Sequence, residues 1–222
     1  ARKVVRTNVL TVDLTASGLA RAAAEGAPAE RATQALADAA ARAFGAEVVD
    51  ALAHKFAGDT DLVLKVASPR DLLRRCGATE EPSFDELDDL ATALAGIVRS
   101  LADKPIAGLL VARTSAAPWT ADEADAYEPL FSAAHHYGWV TAMAVDATLL
   151  AEDFAGVDIL LCAEADLAAA KGSRRLGGGL SSAYWSGTSA ATLPPDALAY
   201  GVIPVDGEPE YIVERCAQLP YS

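Results

Sequence analysis

Three short apolar runs limit this chain's possible folds most strongly: LLVAR at 109–113, VTAMAVD at 140–146 and VDILLCAEAD at 157–166. Each is rich in Val, Ile, Leu and Ala and too short for a buried helix. The segments between them are helix-like (121–137) or amphipathic (147–156). Strands that are apolar at nearly every position are what a parallel sheet covered on both faces requires. Each run also ends in polar residues: Arg113-Thr114, Asp146, and Glu164 with Asp166. The carboxyl ends of parallel strands are where α/β folds carry their chemistry.

The same alternation extends along the chain. VVRTNVLTVDLT (4–15) reads as a strand with a polar tip at Asp13, followed by an Ala-rich helix over 16–26. Pro28 opens a helix over 30–44, with Gly45 as its stop. Residues 46–56 fit either a short strand or more helix. DLVLKVASP (61–69) is a strand that leads into the helix RDLLRRCG. Ser83 and Glu86 have capping-box spacing and open a helix to about Asp103; Thr120 and Glu123 repeat it for a helix ending near Gly138. RRLGGGLSS (174–182) and GVIPVDG (201–207) supply two more strands, and a helix closes the chain.

These signals predict strands near 8–13, 62–67, 108–113, 140–145, 158–163, 174–178 and 201–205, with an eighth available at 46–56. No linker divides the 222 residues. The expectation is a single domain over 1–222, a compact (β/α)8 TIM-type barrel. The first residue is Ala1, not Met, so the barrel is expected to be open to incompleteness at its N-terminus.

A formal charge of −13 argues against nucleic acid or an anionic membrane as a partner. No run has transmembrane length, and the N-terminal residues lack a signal-peptide pattern. Cys76, Cys162 and Cys216 lie far apart without metal-ligand spacing, which favours a reducing, cytoplasmic setting.

Five stretches, in order, carry a family resemblance: VLKVASPRDLLRRCG, IVRSLADKPIAGLLVAR, EPLFSAAHHYGWVTAMAVD, FAGVDILLCAEADLAAAKGSRRLGGGLSSAYW and YGVIPVDGEPEYIVERCAQL. Together they resemble the uroporphyrinogen decarboxylase superfamily, which also holds cobalamin-independent methionine synthases and corrinoid methyltransferases. The resemblance covers about the C-terminal two-thirds and implies a barrel. The family's N-terminal Arg-rich motif has no counterpart here. Its closing His falls on Tyr200, and its catalytic Asp is matched in place by Asp13. The methyltransferases' zinc-binding His-x-Cys is replaced by Val145-Asp146, so no metal and no cofactor are expected.

The residues themselves offer a site. Asp13 and Asp146 directly follow their apolar runs and suit acid/base work together with Tyr200, and Glu164 is a further strand-end carboxylate. Each Asp also suits capping the next helix. Lys65 interrupts a strand otherwise buried on both faces; it suits a desolvated base or anion holder, or a side chain reaching water along its stem. Arg70 and Arg113 suit a bidentate carboxylate clamp, or a structural salt bridge. Trp185 walls either a pocket or an interface, the latter consistent with a homodimer. His135 and His136 complement a helix C-terminus.

Three readings follow. The first is a metal-independent, decarboxylase-like lyase acting on a small carboxylated substrate, with Asp13, Asp146 and Tyr200 catalytic and Lys65, Arg70, Arg113, Glu164 and Trp185 binding. The second is a non-catalytic barrel that binds or scaffolds. The third is a methyltransferase working with a corrinoid or folate partner.

Overall fold

The apolar run at 62–67 becomes β2 (Asp61–Ala67), which pairs in parallel with a strand on each side. The computed structural model describes residues 9–21, 25–56, 60–115, 117, 119–145, 155–163, 175–191 and 197–219. Beside β2 lie β1 (Val9–Asp13) and β3 (Ile106–Ala112). Beyond β3 follow β4 (Val140–Ala144), β5 (Ile159–Cys162), β6 (Arg175–Gly179) and β7 (Leu198–Tyr200). Every pairing is parallel, and spatial order equals chain order.

Such a sheet is a curled half-barrel, and this corrects the expected closed (β/α)8 barrel. Closure needs the last strand hydrogen-bonded to the first; here β1 and β7 stand at opposite ends of the sheet. The proposed eighth strand at 46–56 is instead the second half of a helix. Between β1 and β2 run α1 (Thr15–Arg21), α2 (Pro28–Ala37) and α3 (Ala39–Lys55). Gly45 does not stop a helix; it lies inside α3, where a Cβ would come 3.0 Å from Leu14, so it permits close packing. The break falls at Asp38, whose Oδ1 accepts from the Ala41 N–H at 2.7 Å.

The other connections are α4 (Pro69–Arg75) with α5 (Phe84–Ser100), then α6 (Ala121–Ala126) with α7 (Glu128–His136). After β6 comes the single turn α8 (Ser182–Trp185), and α9 (Pro209–Ala217) follows β7. The Ser83–Glu86 capping box forms as expected, with Glu86 Oε2 accepting from the Ser83 N–H at 2.9 Å. It sets the start of α5, so that Leu87, Leu90, Leu94 and Val98 share one buried stripe. They meet Leu62, Leu64 and Val66 of β2 and Leu109 and Val111 of β3 in the main core. Each such Leu contributes about 1.5–3 kcal/mol by leaving water.

The alternate residues form the concave face, where Leu110, Ala144 and Leu161 pack with Val63, Ala142, Ile159, Leu198 and Tyr200. The expected strand at 201–205 is displaced to 198–200. Pro204 has no N–H to give a ladder, and Val202 and Val205 stand 71% and 106% exposed. Gly201 passes so close to Leu180 that a Cβ would sit 2.0 Å from its carbonyl oxygen.

Candidate functional site

Cross-strand register brings Asp13, Lys65 and Leu110 side by side on the concave face near the carboxyl ends of β1, β2 and β3. Asp13 Oδ1 accepts from the Thr15 N–H at 3.1 Å, the Thr15 hydroxyl at 2.8 Å and the Ala16 N–H at 3.3 Å. These bonds hold the first turn of α1, the capping role open to such a residue. The other oxygen, Oδ2, lies 3.9 Å from Lys65 Nζ. Both side chains are about a third exposed (38% for Lys65, 32% for Asp13), so the pair meets solvent. The Thr15 hydroxyl also accepts from the Ala67 N–H at 3.4 Å, tying the ends of β1 and β2 together. Tyr200 packs against the same apolar face from β7. Burial, with a smaller effect from Cys162 nearby, pushes its phenol above the ordinary value, so at neutral pH it is a proton donor.

Arg70 and Arg113 form a second centre, in the protein interior. Both guanidiniums converge on Glu123, and all three side chains are 0–1% exposed. Arg70 Nε donates to Glu123 Oε2 at 3.1 Å. Arg113 donates from Nε to Oε1 at 3.0 Å and from Nη2 to Oε2 at 3.2 Å. The Tyr127 hydroxyl donates to Oε1 at 2.8 Å. Arg113 further holds the loop after β3, donating to the carbonyls of Ser115 at 2.6 Å and Ala117 at 2.9 Å. Asp71 accepts from the Thr114 N–H at 2.6 Å, fastening the same loop to α4. The carboxylate that the two arginines bind here thus belongs to the chain. Burial drives the Tyr127 phenol well up, and the Glu123 charge adds to this, so it stays a donor at any physiological pH.

Sequence reasoning missed Glu123, which reads as the second member of a capping box. Thr120 does accept from the Glu123 N–H at 3.1 Å, but the Glu123 carboxylate turns inward to the arginines. The available signal was two strand-end arginines that needed a counter-charge, with an acidic residue in the next helical turn.

Of the remaining candidates, Asp146 and Glu164 lie outside the described residues. Trp185 is 4% exposed and packs with Leu180, Tyr184, Ile212 and Cys216 in a small separate core, away from Lys65's apolar neighbours. His135 gains partners that the helix-end reading did not supply. Its Nε2 lies 3.1 Å from Thr141 Oγ1 and 3.2 Å from Asp158 Oδ2, joining α7 to β4 and the turn before β5. Burial would raise the Asp158 carboxyl, but hydrogen bonds from the Thr141 N–H and hydroxyl and from His135 outweigh it and hold the group below 3.8.

Among the described residues, no three His, Cys, Asp or Glu side chains gather as metal donors, and no helix is long and apolar enough to cross a membrane. A cavity of about 10 Å³ beside Leu14, Leu36, Ile97 and Leu101 holds one water at most. No family model, curated protein or solved structure matches this chain.

Proposed function

We propose that this chain binds a small carboxylated molecule on the concave face of its half-barrel and releases CO2 from it without a metal. The observation that carries the reading is Lys65, a cation beside the apolar cluster of the concave face, 3.9 Å from a carboxylate that has one oxygen free of hydrogen bonds from α1. Val63, Ala142 and Tyr200, partly exposed beside this core, offer an apolar surface to the body of the ligand. In this reading the substrate carries a carbonyl β to its carboxyl group. The C–CO2 bond breaks, its electron pair forms an enolate, and the Lys65 ammonium stabilises the developing oxyanion. The new C–H bond takes its proton from Lys65 or Tyr200, and solvent restores that proton. The three cysteines are buried and form no disulfide, which supports a cytoplasmic setting.

A second reading, binding without turnover, is favoured by the hydrogen bonds that engage Asp13 Oδ1 in starting α1. Calorimetric titration with a panel of small β-keto acids, with CO2 release followed in parallel, tests both. Binding with CO2 release supports the lyase, and binding alone supports the second reading. No binding, or binding that survives Lys65→Gln unchanged, refutes both.

A further inference from the structure

Thr15 is buried, with 1% of its surface exposed, and its hydroxyl works in two directions at once. It donates to Asp13 Oδ1 at 2.8 Å, the shortest of the three hydrogen bonds on that oxygen. It accepts from the Ala67 N–H at 3.4 Å, two residues beyond Lys65, which with Asp13 closes the β1–β2 register. A hydroxyl can do both, because it has one O–H and two lone pairs. The bonds from Ala67 through Thr15 to Asp13 run in one sense, so each polarises the next. The two backbone donors on Asp13 belong to the start of α1, whereas the hydroxyl also reaches β2. Asp13 Oδ2 is thereby left to Lys65 Nζ at 3.9 Å.

We infer that Thr15 is a positioning residue: through its hydroxyl it holds Asp13, and so the Lys65 ammonium, in place at the carboxyl ends of β1 and β2. Its importance to turnover rests on the concave-face reading, but its hold on Lys65 does not and is testable without a ligand. A carboxylate beside an ammonium favours the charged form, which does not attack an acylating reagent. Loosening Asp13 therefore speeds acylation of Lys65. Thr15→Val keeps the shape of the side chain and removes the hydroxyl, and Thr15→Ser keeps the hydroxyl and removes the methyl group.

Competitive labelling with trace acetic anhydride in mildly alkaline buffer, read by peptide mass spectrometry, gives the reactivity of Lys65, with exposed Lys55 as internal reference. Lys65 should react about two- to threefold faster in Thr15→Val, within the range of an exposed ion pair, and at the parent rate in Thr15→Ser. Because Thr15 acts through Asp13, Thr15→Val should add nothing on an Asp13→Asn background. An unchanged rate in Thr15→Val, an equal gain in Thr15→Ser, a gain that persists with Asp13→Asn, or a matching gain at Lys55 overturns the inference. If no β-keto acid binds while this labelling pattern holds, the positioning role stands and the concave-face function falls.

Discussion

Glu123→Gln tests the interior network directly. In the folded chain five donors converge on this carboxylate: Arg70 Nε and Nη2, Arg113 Nε and Nη2, and the Tyr127 hydroxyl. Glutamine has almost the same shape but keeps one acceptor oxygen, and it turns an NH2 group toward guanidinium donors. Both arginines stay buried, and the charge they share is gone. Removing one member of a buried pair costs about 3–5 kcal/mol, because the partner left behind remains desolvated. Domains have about 5–15 kcal/mol of stability in total, so the variant should remain folded but fragile. For a chain of this length the melting temperature should fall roughly 6–20 °C. Thermal and urea unfolding, both followed by circular dichroism, give the value. A triple variant, Arg70→Leu with Arg113→Met and Glu123→Leu, separates stranded charge from lost packing and should recover most of the loss. If Glu123→Gln costs less than about 1 kcal/mol, no better than an exposed pair, the reasoning is wrong.

Asp158 gives a pH prediction. Its folded carboxyl lies below 3.8, so it contributes stability above that value that is lost as the pH falls through the folded value. Asp158→Asn should therefore be less stable than the parent at neutral pH, and the gap should close on acidification from about pH 5 to about pH 2. A gap that stays constant across that range counts against it. Two glycines should respond in opposite directions to alanine. At Gly108 the added Cβ would lie 2.7 Å from the Val140 carbonyl oxygen, so the strands must shift, at about 1–3 kcal/mol. At Gly96, inside α5, nothing lies within 4 Å, and Gly96→Ala should stabilise by about 0.4–1 kcal/mol. Urea midpoints of the two variants that move in the same direction would refute the pair.

The parallel strands were legible because their apolar runs have no polar face to hide: β2, β3 and β4 fall within two residues of their expected bounds. Closure was not legible. It depends on how many strands there are and how they tilt, and AEVVDALAHKF satisfies strand and helix patterns equally until the neighbouring Ala-rich turns commit it to α3. The last strand was misplaced because GVIPV is as apolar as a strand, although Pro204 interrupts its donors and its side chains stay in water. Within the candidate site, Asp13 and Lys65 were each marked by their place on a strand, but their pairing follows only once β1 and β2 are known to lie side by side. The burial of Arg70 and Arg113 was not legible, since a strand-end arginine looks the same whether its carboxylate arrives with a ligand or sits in the next helix.

The strict β1-to-β7 order has a consequence for how the chain comes apart. A sheet whose spatial order repeats its chain order behaves like a short solenoid: each unit leans on the one before and the one after, and among the described residues no strand bridges the ends. Contacts are then mostly between successive units, so the region around β2, β3 and α5 can form first and the ends can add by growth. The far end is the least anchored, because Leu180, Tyr184, Trp185, Ile212 and Cys216 make a core of their own, not joined to the main one. Opening of that end leaves the Glu123 network and the Asp13–Lys65 pair in place, so amide protection should decline stepwise toward β7 and α9 and not vanish in a single event.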